Sequence, residues 1–470
     1  MTDPVVRPFG LRDKLGYLFG DFGNDFTFIL STMILTKFYT DVMGVPAAVI
    51  GTIMMLARIV DGVTDIAMGR ICDRSTSSGA GKFKPWLLRM CIPVALTSFL
   101  MYQSAFALWP LSSKITYLAV TYILWGSFCY TGVNIPYGSM ASAISPEAGD
   151  RQSLSTYRTM GGMLAGAVIG VILPVIAYEK IALPGGIVKE TLIGSRVTLA
   201  AGVFSLLAIV CYLLCYFLVT ERVPAPSGGR RQHSVGQMLK NAVSSRPLIS
   251  VIAASVVMLL AQLTMQNMAA YIFPDYYNSA AAQSVSTLLM LAGMSVAAVI
   301  AKPLSSRYGK AEISAAANLF AAAVMILIWL IRPGDVWVYC GLQTLCWLGL
   351  GVFSMVNWAL ITDVIDDAEL RTGIREDGAV YALYSFARKL GQAVAAGLSG
   401  WLLTAIGYSS AAASEGLAQT QSVLRGIFNI ATLVPALGFA LLAAVLWFWY
   451  PLRKAQVDSN VAALKQKHGR

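Results

Sequence analysis

The sequence predicts an all-helical membrane protein, with twelve spanning helices in two bundles of six and both termini in the cytoplasm. Three observations carry this. Of 470 residues, 57% are apolar and 13% charged, and the mean hydropathy is +0.65, whereas a soluble domain has about 25% charged residues. The apolar residues gather into twelve long runs, and a spanning helix needs about 20 of them. Basic residues are spread unequally over the two sets of loops, which sets orientation. The composition excludes a soluble globule, a disordered chain, a coiled coil and a nucleic-acid-binding domain.

The first six runs lie at roughly 17–40, 46–70, 87–108, 115–141, 158–178 and 197–219. The first is too long for a signal peptide and reads as a span. The fifth carries Gly162, Gly166 and Gly170 at four-residue spacing, a close-packing seam. A polar stretch at 221–246 contains "TERVPAPSGGRRQHSVGQ", rich in Pro, Gly, Ser and charge, and reads as a linker. Six further runs follow at roughly 248–273, 284–304, 311–331, 336–361, 380–406 and 423–450. The expected organisation is an N-terminal bundle at 1–220, a cytoplasmic linker at 221–246, a C-terminal bundle at 247–452 and a cytoplasmic tail at 453–470.

With the termini placed inside, 25 Lys and Arg residues fall at the cytoplasmic ends and seven at the outer ends. That bias explains the net charge of +11 without a nucleic-acid partner. The seven cysteines sit in or beside apolar runs with no CxxC, and read as packed thiols. His233 and His468 stand in polar stretches without metal-ligand spacing. Gly79, Gly81 and Lys82 do not complete a P-loop, and no Ser–His–Asp set exists. No enzyme chemistry is visible.

The informative residues are ionisable groups inside the spans, where each is costly and tends to face a cavity or a partner. The first span holds Asp21 and Asp25, one turn apart. The second holds Arg58, Asp61 and Asp65 on one face, and the eleventh holds Arg388 and Lys389. Arg58 and Asp61 read equally well as a fixed ion pair. If all seven groups shared one cavity, the four carboxylates would exceed the three cations by one. Carboxylates at close range need a cation or proton between them. This is the composition of a cation-coupled carrier.

The chain resembles the glycoside–pentoside–hexuronide:cation symporters, the melibiose and glucuronide permease kind within the major facilitator superfamily. The resemblance runs from Leu15 to about Leu452 and rests on long motifs in order. They are "YLFGDFGNDF", "FYTDVMGV", "GTIMMLARIVDGVTDIAMGRICD", "GKFKPW", "TYILWG", "VNIPYGS", "ITDVIDDAELRTGIREDG" and "SFARKLGQA". It implies a major facilitator fold, a multi-pass protein of the bacterial inner membrane, a small sugar substrate and a coupling ion, H⁺ or Na⁺, as sole cofactor. A monomer in the lipid bilayer is expected. The family's sugar-binding carboxylate falls on Asp25 and its cation-ligating carboxylates on Asp61 and Asp65, where Na⁺ would sit, with Thr131 beside them. Arg158 falls on an arginine near the sugar, and Lys389 on the lysine joining the two sites.

The departures indicate the substrate. Melibiose permease has an acid where this chain has Asn134, a tryptophan at Gly138, an asparagine at Thr64 and an apolar residue at Arg388. The pocket thus loses a negative charge and gains a positive one, which favours an anionic sugar such as a hexuronide, glucuronide or sulfonated sugar. Thr64 weakens the case for Na⁺, since a hydroxyl is a poorer donor to a hard cation than an amide carbonyl. Among the aromatics, Trp125, Tyr130, Trp358, Tyr381 and Tyr384 could stack on a pyranose, and Tyr384 is counted with the substrate contacts; packing is the alternative for each. The competing functions are a neutral glycoside or pentoside symporter and a lipid-handling carrier of the same fold.

Overall fold

The computed structural model describes residues 7–75, 81–182, 188–223, 245–372 and 377–467. Most of the expected linker, residues 224–244 with His233, lies outside these, as does His468. By packing, the chain forms two units. The first comprises Met1–Gly228 and Leu403–Thr420, the second Gly229–Leu402 and Gln421–Arg470.

The first unit holds six long helices: α1 (Leu11–Asp41), α2 (Ala47–Arg74), α3 (Lys84–Leu100), α4 (Leu111–Ile144), α5 (Ala148–Ala177) and α6 (Gly194–Leu218). Helix α1 packs against α5 and α6. The contact with α5 is close because α5 presents glycine there; a β-carbon on Gly161 would stand 2.4 Å from the Leu18 carbonyl oxygen. At the end of the unit where α6 exits, Glu221 accepts from the backbone N–H groups of Lys82, Phe83 and Lys84 at 2.7–2.9 Å. A carboxylate at a helix start satisfies orphan donors and the helix dipole together, so the exit of α6 fixes the start of α3. Asp13, fully buried, pairs with Arg7 at 2.8 Å and Arg222 at 2.9 Å, closing the same end.

Two features go beyond the helical expectation. Between α5 and α6, strands β1 (Tyr178–Ala182) and β2 (Val188–Leu192) form an antiparallel hairpin with Tyr178 opposite Leu192. The segment Leu403–Thr420, late in the chain, packs with the first unit. Its anchor is Tyr408, whose hydroxyl accepts from Lys37 at 3.2 Å and donates to Asp41 at 2.6 Å. Lys37 is 1% exposed and pairs with Asp41 at 2.8 Å.

The second unit contains α7 (Arg246–Tyr271), α8 (Ala280–Tyr308), α9 (Lys310–Ile331), α10 (Val336–Thr372), α11 (Asp377–Ala405) and α12 (Gln421–Ala444). The expected tail is helical too, as α13 (Lys454–Lys467). It is tied back where the Lys454 N–H meets Glu312 and Asn460 donates to Asp367, both at 3.2 Å.

Among the described residues, ten helices are long and apolar enough to cross a membrane. The two long helices outside that set are α1 and α11, with 31 and 29 residues. They carry Asp21 and Asp25, and Arg388 and Lys389, so the charges the sequence singles out are what lower their hydropathy. Leu199, Leu206, Val299 and Leu330 point outward, 62–76% exposed; this suits helices whose surroundings are lipid. All seven cysteines are buried and unbridged.

Candidate functional site

The site in the first unit is built from α1, α2, α4 and α5. Asp61 and Asp65 lie one turn apart on α2 and are each held by a hydroxyl from α4. Ser127 donates to Asp61 at 2.5 Å, and Thr131 donates to Asp65 at 2.9 Å. Ser127 and Thr131 share a face at i and i+4. The α4 backbone passes through a π-helical stretch at Leu124–Tyr130 immediately before Thr131, an irregularity common at functional positions. Opposite Ser127, Asp61 pairs with Arg58 at 3.2 Å, and both side chains are about nine-tenths buried. The fixed ion pair expected for these two therefore coexists with the α4 contact. The Arg58 guanidinium lies beside two aromatics, 5.0 Å from the Phe28 ring centre and 5.9 Å from that of Tyr122.

A second cluster sits on α1 and α5. Arg158 Nε donates to Asp21 at 2.9 Å, and its guanidinium lies over the Tyr137 ring at 5.3 Å. The Arg158 side chain is 40% exposed, that of Asp21 11%. Asp25, one turn along, has no hydrogen bond or ion pair among the described residues. Its Oδ2 lies only 2.6 Å from where a β-carbon on Gly162 would stand, and Asp21 Oδ2 lies 3.2 Å from the same point. The glycine thus lets two carboxylates crowd one stretch of α5 backbone. Tyr130 joins the clusters: its ring stacks on Phe28 at 5.7 Å, and its hydroxyl is within electrostatic reach of Asp25, Asp21, Arg158 and Arg58.

Within this unit Asp61, Asp65 and Thr131 thus fall in one cluster, and Asp25 and Arg158 fall with Asp21 in the other. Asn134 lies one turn beyond Thr131 on α4, half-buried. The unit also supplies a cation that the charge count over three basic groups omitted, since Arg158 neutralises Asp21. Ser127 escaped the sequence reading, although its i,i+4 relation to Thr131 was the available signal. Thr64 spends its hydroxyl on its own helix, donating to the carbonyls of Val60 at 3.3 Å and Asp61 at 3.1 Å. Trp125 is fully buried and packs against Tyr130. Around Asp61 and Asp65 the Ser127 and Thr131 hydroxyls add oxygen donors to the carboxylates, a set that suits a hard cation or a proton. Among the described residues, no group of three or more His, Cys, Asp or Glu could hold a metal ion.

Arg388, Lys389 and Tyr384 belong to α11 in the second unit. The Arg388 guanidinium lies 5.8 Å from the ring centres of both Trp358 and Tyr384, which meet edge to face at 5.1 Å. Tyr384 is fully buried and its hydroxyl accepts from Asn357, whose own carbonyl accepts from Ser255 at 3.1 Å. Tyr384 is thus locked in the packing, while Trp358 is 46% exposed. Lys389 is half-buried beside Arg388. The side chain of Tyr381 lies outside the described residues.

The geometry can be set against known proteins. The family model described as MFS/sugar transport protein matches residues 16–454. The chain is 30% identical over 458 residues to a glucuronide carrier protein homolog of Escherichia coli (strain K12), covering 97% of this chain and 96% of that one. It is 28% identical over 462 residues to the uncharacterized symporter YjmB of Bacillus subtilis (strain 168), covering 97% and 96%. Among solved structures, a D-xylose-proton symporter superposes with a TM-score of 0.62 at 13% identity, covering 94% of this chain and 96% of that one. That likeness concerns the fold alone. The chain belongs to the MFS/sugar transport protein family, as a multi-pass transporter of the bacterial inner membrane and not an enzyme.

Proposed function

We propose that this carrier imports a sugar or glycoside bearing a negative charge, by symport with a cation through alternating access. The observation that carries the reading is the pairing of Asp61 and Asp65 on α2 with the Ser127 and Thr131 hydroxyls of α4. Two carboxylates one turn apart, each held by a hydroxyl of α4, gather oxygen donors of the kind that takes a hard cation or a proton. Support for an anionic substrate comes from the partly exposed Arg158, from Arg388, and from Asn134 in place of an acid. It also comes from similarity to a glucuronide carrier homolog. A guanidinium fork suits a carboxylate or sulfonate.

In this reading Asp61 and Asp65, with Asp25 and Thr131, receive the coupling ion. Asp25, Asn134, Arg158, Arg388 and Lys389 meet the sugar, with Tyr384 positioning Arg388. The ion is H⁺ rather than Na⁺, because the Thr64 hydroxyl is bonded to its own helix and offers no carbonyl. Twelve helices cross the bilayer, with α1 and α11 added to the ten apolar ones, and both termini face the cytoplasm in a monomer. A thermal-shift screen of purified protein against neutral sugars, uronides, sulfonated sugars and lysolipids, with and without Na⁺, tests the proposal. Stabilisation by uronides or sulfonated sugars supports it; stabilisation by neutral glycosides or lysolipids alone contradicts it.

A further inference from the structure

One arrangement in the first unit does more than bind an anion. Arg158 gives Nε to Asp21 and its guanidinium also meets the Tyr17 hydroxyl, yet the side chain stays 40% exposed. The guanidinium lies over the Tyr137 ring. Beside it Gly138 leaves room: a β-carbon there would still be 3.7 Å from Arg158 Nη1. This is a fork presented to an oxyanion, with one carboxylate of the protein already on it. That carboxylate is more enclosed than the arginine it binds, at 11% against 40% side-chain exposure. If it loses the arginine, Asp21 is left beside Asp25, whose oxygen converges with its own at Gly162.

Resting on the anionic-substrate reading, we infer that Asp21 is a built-in competitor for the substrate's anionic group at Arg158, and that its displacement loads a proton onto the Asp21–Asp25 pair. The exchange balances. Before binding, Asp21 and Arg158 neutralise each other. The incoming anion takes Arg158, and the bare Asp21 carboxylate accepts one proton from water, in addition to any proton that Asp25 already holds. One negative charge and one proton enter together. The proton is taken by Asp21, which is not part of the ion site at Asp61 and Asp65, and it couples substrate charge to proton uptake without a conformational relay. A carboxylate as enclosed as Asp21, crowded by Asp25, does not stay ionised once its cation is engaged elsewhere.

The other groups facing the pair are Tyr17 on α1, Tyr130 and Tyr137 on α4, and Cys211, Tyr212 and Cys215 on α6. Arg58 on α2 reaches it through Tyr130. Phenols and thiols are neutral in the working range and arginine stays charged, so Asp21 and Asp25 are left to take the proton.

The test is proton uptake by purified protein in lightly buffered detergent solution, read with a pH indicator. Methyl glucuronide is the anionic probe and methyl glucoside the neutral one. Wild type should take up about one proton per glucuronide bound, the linkage expected when a paired carboxylate is freed, and none with the glucoside. Asp21→Asn should bind the glucuronide at least as tightly and take up none. Glucuronide binding by wild type without proton uptake, or unchanged uptake in Asp21→Asn, overturns the inference and leaves the anionic-substrate reading standing. No binding of the glucuronide by wild type overturns both. The wild-type measurement decides the matter even if the variant does not fold.

Discussion

Asp25 Oδ2 stands 2.6 Å from the position a β-carbon on Gly162 would occupy, so one glycine on α5 sets where the α1 carboxylate can be. Gly162→Ala adds a methyl at that point. An alanine in a helix is favoured over glycine by about 1 kcal/mol, while overpacking costs about 1–3 kcal/mol. Because the clashing atom is the end of an aspartate side chain, the fold can yield by moving it. The expected result is a melting temperature within a few degrees of wild type and sugar uptake reduced about tenfold or more, since a small misplacement of a binding group is expensive. Melting curves and uptake by the same preparation check both parts.

The Arg388 guanidinium lies 5.8 Å from the ring centres of both Trp358 and Tyr384 in the second unit. Arg388→Ala is expected to weaken binding of an anionic sugar by about tenfold or more, roughly 1.4 kcal/mol, and to leave a neutral glycoside of the same shape little changed. Calorimetric titration of the two ligands separates the roles. Equal loss for both would make Arg388 a packing residue.

How much of this was legible in sequence depends on range. Spans could be read because lipid demands long apolar runs. The shared face of Arg58, Asp61 and Asp65 could be read because helical spacing is local. Partners in other helices could not: Arg158 and Asp21 are 137 residues apart, and nothing in either motif ties them. The hairpin was missed because "YEKIA" and "VKETL" are five residues each and polar. The packing of Tyr408 on Lys37 was missed for the same reason as Arg158, with 371 residues between them.

That last contact is itself testable. Lys37 and Tyr408 are buried, the Asp41 side chain is 8% exposed, and the phenol is hydrogen-bonded to both charges. Tyr408→Phe keeps the packing and removes two bonds to charged groups, each worth about 1.5–3 kcal/mol. Lys37→Ala leaves the Asp41 carboxylate without its ammonium, which costs about 3–5 kcal/mol for a buried pair. Thermal unfolding is expected to rank wild type above Tyr408→Phe, and Tyr408→Phe above Lys37→Ala. Three indistinguishable curves would show the cluster to be without energetic weight.

The Thr64 hydroxyl, already donated to Val60 and Asp61, gives the ion site no neutral carbonyl. Replacing external Na⁺ by choline at constant pH is therefore expected to leave uptake unchanged. Acidifying the outside should raise it, because protonation of the empty carrier precedes inward movement. Saturable Na⁺ dependence at fixed pH would reverse the assignment.

The central claim is that Asp65, held by Thr131 at 2.9 Å, carries the charge that couples substrate to ion. Reconstituted Asp65→Asn protein tests it directly, with accumulation and exchange measured on the same vesicles. An amide keeps the size and can still meet the Thr131 hydroxyl but takes no proton or cation. The expected result is loss of uphill accumulation with exchange of internal for external sugar preserved at a measurable rate. Accumulation by Asp65→Asn against a gradient at the wild-type rate would contradict the account.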